Sequence, residues 1–83
     1  MDKAQILEAI TEIFRRELSD PGLNLDYNSS TNTVEKWDSI NNLVLISAIE
    51  DHFKMSFSVD AIFAAENVGD LCDYILQEKK TNA

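Results

Sequence analysis

Eighty-three residues make one small domain, close to the lower size at which a single core holds a chain together. A hydrophobic fraction of 45% with 27% charged residues fits a folded globule, and two glycines with one proline leave little material for hairpins or glycine-rich phosphate loops, which points to an all-α class. Fifteen acids against seven bases give a formal charge of −8 and a pI near 4.3, which excludes the basic face that nucleic acids and anionic membranes require.

The same acidity suits steered encounters with basic patches on partner proteins, although it also serves solubility alone. The single cysteine, Cys72, excludes an internal disulfide framework and offers no metal-ligand spacing. No apolar run approaches the roughly 20 residues that span a bilayer, and Met1-Asp2-Lys3 leads straight into a helix without a signal-peptide pattern. A reduced, cytoplasmic chain is expected.

In chain order, the first helix is predicted over residues 3 to 18 with Asp2 as its N-cap. Ile6, Leu7, Ile10, Ile13, Phe14 and Leu18 recur at three- and four-residue spacing, with Glu8, Glu12, Arg15 and Arg16 between them. Ser19-Asp20-Pro21-Gly22 stops it. Residues 19 to 38 then form a long connection rich in Asn, Ser, Thr and Asp. Structureless loops of such length are uncommon in compact domains unless they are functional. Leu23, Leu25, Tyr27, Val34 and Trp37 are the residues that would pin it to the core.

The second helix is predicted over 39 to 53, capped by Asp38 or Ser39, with a core stripe of Leu43, Ile46, Ile49 and Phe53. Ile40 and Ala48 lie at the stripe's edges, and Val44 and Leu45 extend the apolar surface sideways. Glu50 and Asp51 fall in the last turn, where negative charge opposes the dipole, which hints at another use for them. Ser58 starts a brief third helix, Val59 to Ala65, that buries Ile62 and Phe63. Asn67 caps a last helix over about 68 to 79, with Val68, Leu71, Cys72, Ile75 and Leu76 inward and Lys79 and Lys80 complementing its C-terminus. Thr81 to Ala83 is expected to fray. These elements add up to a small four-helix bundle, three longer helices and one short, with a long first loop and a single domain over residues 1–83.

The chemistry concentrates at Trp37-Asp38-Ser39-Ile40. An Asp-Ser pair before an apolar run is by itself a cap signal. Here a long loop delivers it, and the serine hydroxyl falls at the positive end of a helix dipole, where an attached phosphate is stabilised. No catalytic set accompanies it. The one histidine, His52, lies far along the helix from Ser39, out of reach of a Ser-His-Asp arrangement. Catalytic and metal-binding residues are therefore not assigned.

On these residues the chain resembles the acyl carrier protein family, and the resemblance covers nearly its whole length. The family's attachment motif is Asp-Ser-Leu, less often Asp-Ser-Ile, at the head of the second helix, and Asp38-Ser39-Ile40 matches it. The aliphatic Leu43, then Ile46, Ala48-Ile49-Glu50 and Phe53, and later Asn67-Val68-Gly69-Asp70-Leu71 and Tyr74-Ile75, keep the family's register. The resemblance implies a carrier, not an enzyme. A phosphopantetheinyl transferase would move 4′-phosphopantetheine from coenzyme A onto Ser39, with Asp38 and Ile40 flanking. The arm's thiol would then carry acyl groups as thioesters to separate acyl-loading, condensing or acyl-transfer enzymes. It also implies that Asp38, Val44, Glu50 and Asp51 meet those partners, and that Leu43, Leu45, Ile62 and Phe63 border a space able to take an acyl chain, although core packing explains these four equally well. The carrier is expected to be monomeric.

Departures from fatty-acid carriers lie on the same face. Asn41 stands where an acid is frequent, Val44 where Glu is common, Ser47 where Met is frequent, and Lys36 where Gly usually precedes the motif. They favour a discrete carrier of a specialised biosynthetic pathway over a housekeeping fatty-acid carrier. Two alternatives stay open. One is an aminoacyl or peptidyl carrier, although Gly-Gly usually precedes the motif there. The other is an unmodified acidic helical interaction module.

Overall fold

The first helix begins with a reciprocal cap. The Asp2 carboxylate accepts the Gln5 N–H at 2.8 Å while the Gln5 side-chain oxygen accepts the Asp2 N–H at 2.9 Å, so two otherwise orphaned donors are satisfied at once. The computed structural model describes residues 2–81, among which four helices form: α1 (Lys3–Glu17), α2 (Ser39–Phe53), α3 (Val59–Ala64) and α4 (Val68–Thr81). This is the all-α architecture expected from composition and periodicity. Boundaries move little: α1 and α3 stop one residue early and α4 runs two residues past 79. The fraying expected at the tail falls, for Asn82 and Ala83, outside the described residues, as does the side chain of Lys80.

Each long helix buries one face. Ile6, Ile10, Ile13 and Phe14 of α1 meet Leu45, Ile46, Ile49 and Phe53 of α2 and Val68, Leu71, Cys72 and Ile75 of α4 in one core. Helix α1 packs against both α2 and α4, whereas α3 buries no residue fully. Two expectations fail here. Leu43 is 65% exposed and Leu45 1%, so the inner face of α2 runs through Leu45, Ile46, Ile49 and Phe53. The sequence of α2 is apolar almost all round, which weakens its periodic contrast. Residues 43 and 45 lie about 200° apart on a helix, so turning one inward turns the other out. Phe63 is 81% exposed rather than buried, because six residues of α3 offer the core only one shallow face, taken by Ala61 and Ile62.

Both α1 and α2 end in a residue with a left-handed backbone that is not glycine, Ser19 and Lys54, each at φ 53°. After α1 the Ser19 N–H returns to the Arg16 carbonyl and the Asp20 N–H to the Arg15 carbonyl, closing the last turn by the pairing of a Schellman cap. After α2 the Met55 N–H returns to the Glu50 carbonyl. The Lys79 ammonium donates to the Phe53 carbonyl, so this lysine complements the C-terminus of α2 rather than that of its own helix.

The long first loop is ordered by its own polar residues. Asp26 and Ser29 close one turn, in which the Asp26 carboxylate accepts the Asn28 N–H at 2.8 Å, and Ser30 and Thr33 close the next. Arg15 clamps the loop's start, donating to the Leu23 carbonyl at 2.6 Å and the Asn24 side chain at 2.8 Å. Val34 and Trp37 anchor its end in the core, while Leu23 and Leu25 pack half-buried against it. Tyr27, expected as a further anchor, keeps its ring at the surface with the Lys3 ammonium 4.7 Å from its centroid.

Tyr27 contributes through its backbone. The carbonyls of Ser29 and Tyr27 accept the N–H groups of Val68 and Gly69, each at 2.8 Å, and the Asn67 side chain accepts that of Asp70 at 2.9 Å. The loop thereby supplies the N-terminal cap of α4, whose first donors are otherwise unsatisfied. Gly69 permits this approach, since a Cβ there would lie 2.9 Å from the Tyr27 carbonyl oxygen. Gly69→Ala is therefore expected to destabilise the fold by up to about 2 kcal/mol, because overpacking of about 1–3 kcal/mol is offset in part by Ala's helix-propensity gain of about 1 kcal/mol. Chemical denaturation checks this; a stabilised variant would contradict the backbone contact.

Candidate functional site

Trp37, Asp38 and Ser39 stand where the loop hands over to α2. The Trp37 indole is 6% exposed and meets the Phe14 ring edge-on, with centroids 4.9 Å apart and an interplanar angle of 84°. Anchored there, the chain enters α2 in a fixed direction. The Asp38 carboxylate caps the helix, accepting the N–H groups of Ile40 at 3.1 Å and Asn41 at 2.8 Å. The Asn41 amide in turn donates back to the Lys36 carbonyl at 2.8 Å.

Ser39 follows as the first helical residue, exposed, its hydroxyl engaged by no described residue. A reagent can reach its Oγ. Two of the helix-end donors that favour an anion are already taken by Asp38, so a phosphate on Ser39 is left with the dipole and the serine's own N–H. Beside Ser39 opens a cavity of about 640 Å³ between the first loop, α2 and the start of α4, bordered by Asn28, Asn32, Asn42, Ile46, Ile62 and Asn67. The exposed hydroxyl and the adjoining room fit a covalently attached arm. Reading the sequence did not find this cavity. Its asparagines are scattered between residues 28 and 67, and only the fold brings them together.

The other site residues do not all converge. Leu45 lies wholly in the core and Ile62 borders the cavity half-buried, whereas Leu43 and Phe63 face outward, so these four do not wall one pocket. Ile40 and Val44 are exposed at 76% and 48%, next to Leu43, and form an apolar outer face on α2. Asp51 is exposed. Glu50 is half-buried, and its carboxylate accepts the Phe57 N–H at 2.8 Å, which fixes the link between α2 and α3 and is the internal use that its position in the last turn hints at. His52 is exposed, with its ring edge-on to Phe53. Among the described residues no group of side chains could hold a metal ion, and no helix is long and apolar enough to cross a membrane.

Cys72 is buried in α4, and burial pushes its thiol up to about 11 from an ordinary 9.0. Two results follow. The native thiol resists alkylation near neutral pH, so a fast-reacting thiol in the modified protein belongs to the attached arm. Because the folded state holds the Cys72 proton more tightly than the unfolded chain, stability is full below pH 9 and falls as pH rises from about 9 towards 11. Iodoacetamide labelling and denaturation at pH 8 and pH 11 test the two; rapid Cys72 alkylation of the folded, unmodified protein would contradict both.

A small helical domain that presents an exposed hydroxyl at a helix head, with room beside it, has the geometry to carry and display an attached group. The comparisons make that group specific. Residues 5–75 match the phosphopantetheine attachment site family. The fold is similar to the solution structure of a holo acyl carrier protein from Geobacter metallireducens, with a TM-score of 0.86 and 32% identity over 93% of this chain and 88% of that one. A search of curated proteins returned no match. The chain belongs to the phosphopantetheine-attachment family of acyl-carrier-like domains, non-enzymatic carriers with a covalently attached 4′-phosphopantetheine, which interact with a phosphopantetheinyl transferase and acyl-handling enzymes.

Proposed function

We propose that the chain is a discrete, monomeric, cytoplasmic carrier, a single domain over residues 1–83, with its arm on Ser39 flanked by Asp38 and Ile40. The observation that carries this is the Ser39 hydroxyl: first in α2, exposed and unengaged, held in place by a buried tryptophan and an aspartate cap. The Oγ attacks the pyrophosphate of coenzyme A, an Oγ–P bond forms, the adenosine bisphosphate leaves, and the transferase takes the hydroxyl proton. Held there by Ser39, the arm would supply a terminal thiol able to carry cargo as a thioester. Ser39 needs only to be reachable, and Asp38 and Trp37 keep it so.

Partners dock on the outer face of α2. Val44 and Asp51 carry the contact, with Ile40 and Leu43 widening its apolar part. Asp38 and Glu50 take part with carboxylates that also hold backbone N–H groups. An apolar patch in place of a run of acids suits dedicated enzymes of a specialised acyl pathway, fatty-acid-like or polyketide-like, better than a broad set of basic housekeeping partners. An aminoacyl or peptidyl carrier is the second reading, favoured by the Asp-Ser-Ile form of the motif.

Hydroxylamine cleavage of the protein isolated from its own cells tests the cargo, since the reagent releases a thioester as its hydroxamate. A hydroxamate of a carboxylic acid without an α-amino group is expected. An α-amino hydroxamate would replace the reading by an aminoacyl carrier. A protein that bears no arm by intact mass and yields no hydroxamate would favour the interaction module.

A further inference from the structure

The cavity beside Ser39 is bordered by Asn42, whose amide the fold has already oriented. The Trp37 indole Nε1–H donates to the Asn42 Oδ1 at 2.9 Å. An indole nitrogen can only donate, so the atom facing it must be the amide oxygen, and the Asn42 Nδ2 with its two hydrogens is turned the other way. No described residue accepts from that nitrogen. Asn42 borders the cavity and follows Ser39 by three residues, about 4.5 Å along the axis on the same side of α2. Trp37 is itself locked against Phe14, so the amide's orientation is set by a buried, rigid anchor.

We propose that the Asn42 side-chain amide is a positioned hydrogen-bond donor for the arm on Ser39, taking the hydroxyl or first amide carbonyl of the pantetheine, with Trp37 as the positioning residue behind it. This rests on the carrier reading and deepens it. The chemistry matches. The part of the arm nearest Ser39 offers a hydroxyl and amide carbonyls as acceptors. The cavity wall offers asparagine amides at Asn28, Asn32 and Asn67 as well, although the Asn67 oxygen is engaged by the Asp70 N–H. An arm so held leans back along the mouth of the cavity between contacts with enzymes, and a partner releases it by displacing one neutral hydrogen bond.

Isotope-filtered NMR on labelled protein carrying an unlabelled arm tests this, with arm attachment established on each sample by intact mass. The expected result is a set of nuclear Overhauser contacts from the Asn42 Nδ2 protons to the arm, with a shift of those side-chain protons between the apo and the arm-bearing forms. Asn42→Asp keeps the acceptor for Trp37 and removes the donor; Trp37→Phe keeps an aromatic ring against Phe14 and frees the amide to rotate. Both are expected to weaken the arm-to-cavity contacts several-fold in molecules that bear the arm, with the backbone amide spectrum of the fold retained. An arm-bearing parent without Asn42 contacts, or contacts of equal strength in both variants, would overturn the proposal and leave the carrier reading standing. Failure of the parent to accept an arm at all would overturn the two together.

Discussion

Ser39→Ala is expected to abolish attachment of the arm and to leave the fold as it is. The hydroxyl makes no hydrogen bond with a described residue and the position is exposed, so its loss should change stability by no more than about 0.5 kcal/mol. The cap of α2 belongs to Asp38, whose bonds to the Ile40 and Asn41 N–H groups do not involve the serine side chain. Function and stability therefore separate at this residue. Thermal denaturation by circular dichroism should superimpose on the parent, while incorporation of a fluorescent coenzyme A analogue falls to background. Retained incorporation would mean that another hydroxyl accepts the arm.

Phe14→Ala is expected to have the opposite character and a larger effect on the fold. Phe14 is fully buried and stands edge-on to Trp37, at the junction of α1 with the end of the long loop. Removing it costs about 3–5 kcal/mol for the lost apolar contacts and the cavity left behind, with about 0.5–1.5 kcal/mol more for the aromatic pair. An 83-residue chain has a total stability of roughly 4–12 kcal/mol, so most of it disappears. A fall in melting temperature of about 15–50 °C is expected. Trp37 is the only tryptophan, and its fluorescence reports on the entrance to α2 directly. Loss of its anchor should release the tryptophan, the cap and the serine together, and lower arm attachment through misplacement. A variant within about 1 kcal/mol of the parent would show that the loop is held by other means.

How much of this the sequence shows differs from element to element. Helix α1 was legible because Asp2 caps it and its apolar residues alternate cleanly with Glu8, Glu12, Arg15 and Arg16. The proposed attachment motif can be read from the sequence because Asp38, Ser39 and Ile40 are adjacent in the chain. Helix α2 was placed correctly, with Ile46, Ile49 and Phe53 on its inner face, but Leu43 was expected there in place of Leu45, since residues 43 to 46 are all apolar and only tertiary packing decides between the two leucines. Phe63 misled through its size: a large aromatic on a helix of six residues has no core to enter. The role of the long loop as the cap of α4 was hidden, because the carbonyls of Tyr27 and Ser29 act there and backbone carries no sequence signal. The Asn42 amide was overlooked for a related reason. Its meaning comes from Trp37, five residues earlier and across the helix start.

The most direct measurement is the mass of the intact protein after incubation with coenzyme A and a broad-specificity phosphopantetheinyl transferase, followed by fragmentation of the modified peptide. A gain of one phosphopantetheine unit localised to Ser39 is predicted. A folded protein that gains nothing, or gains the unit at a different residue, would contradict the assignment of Ser39 as the point around which this domain is built.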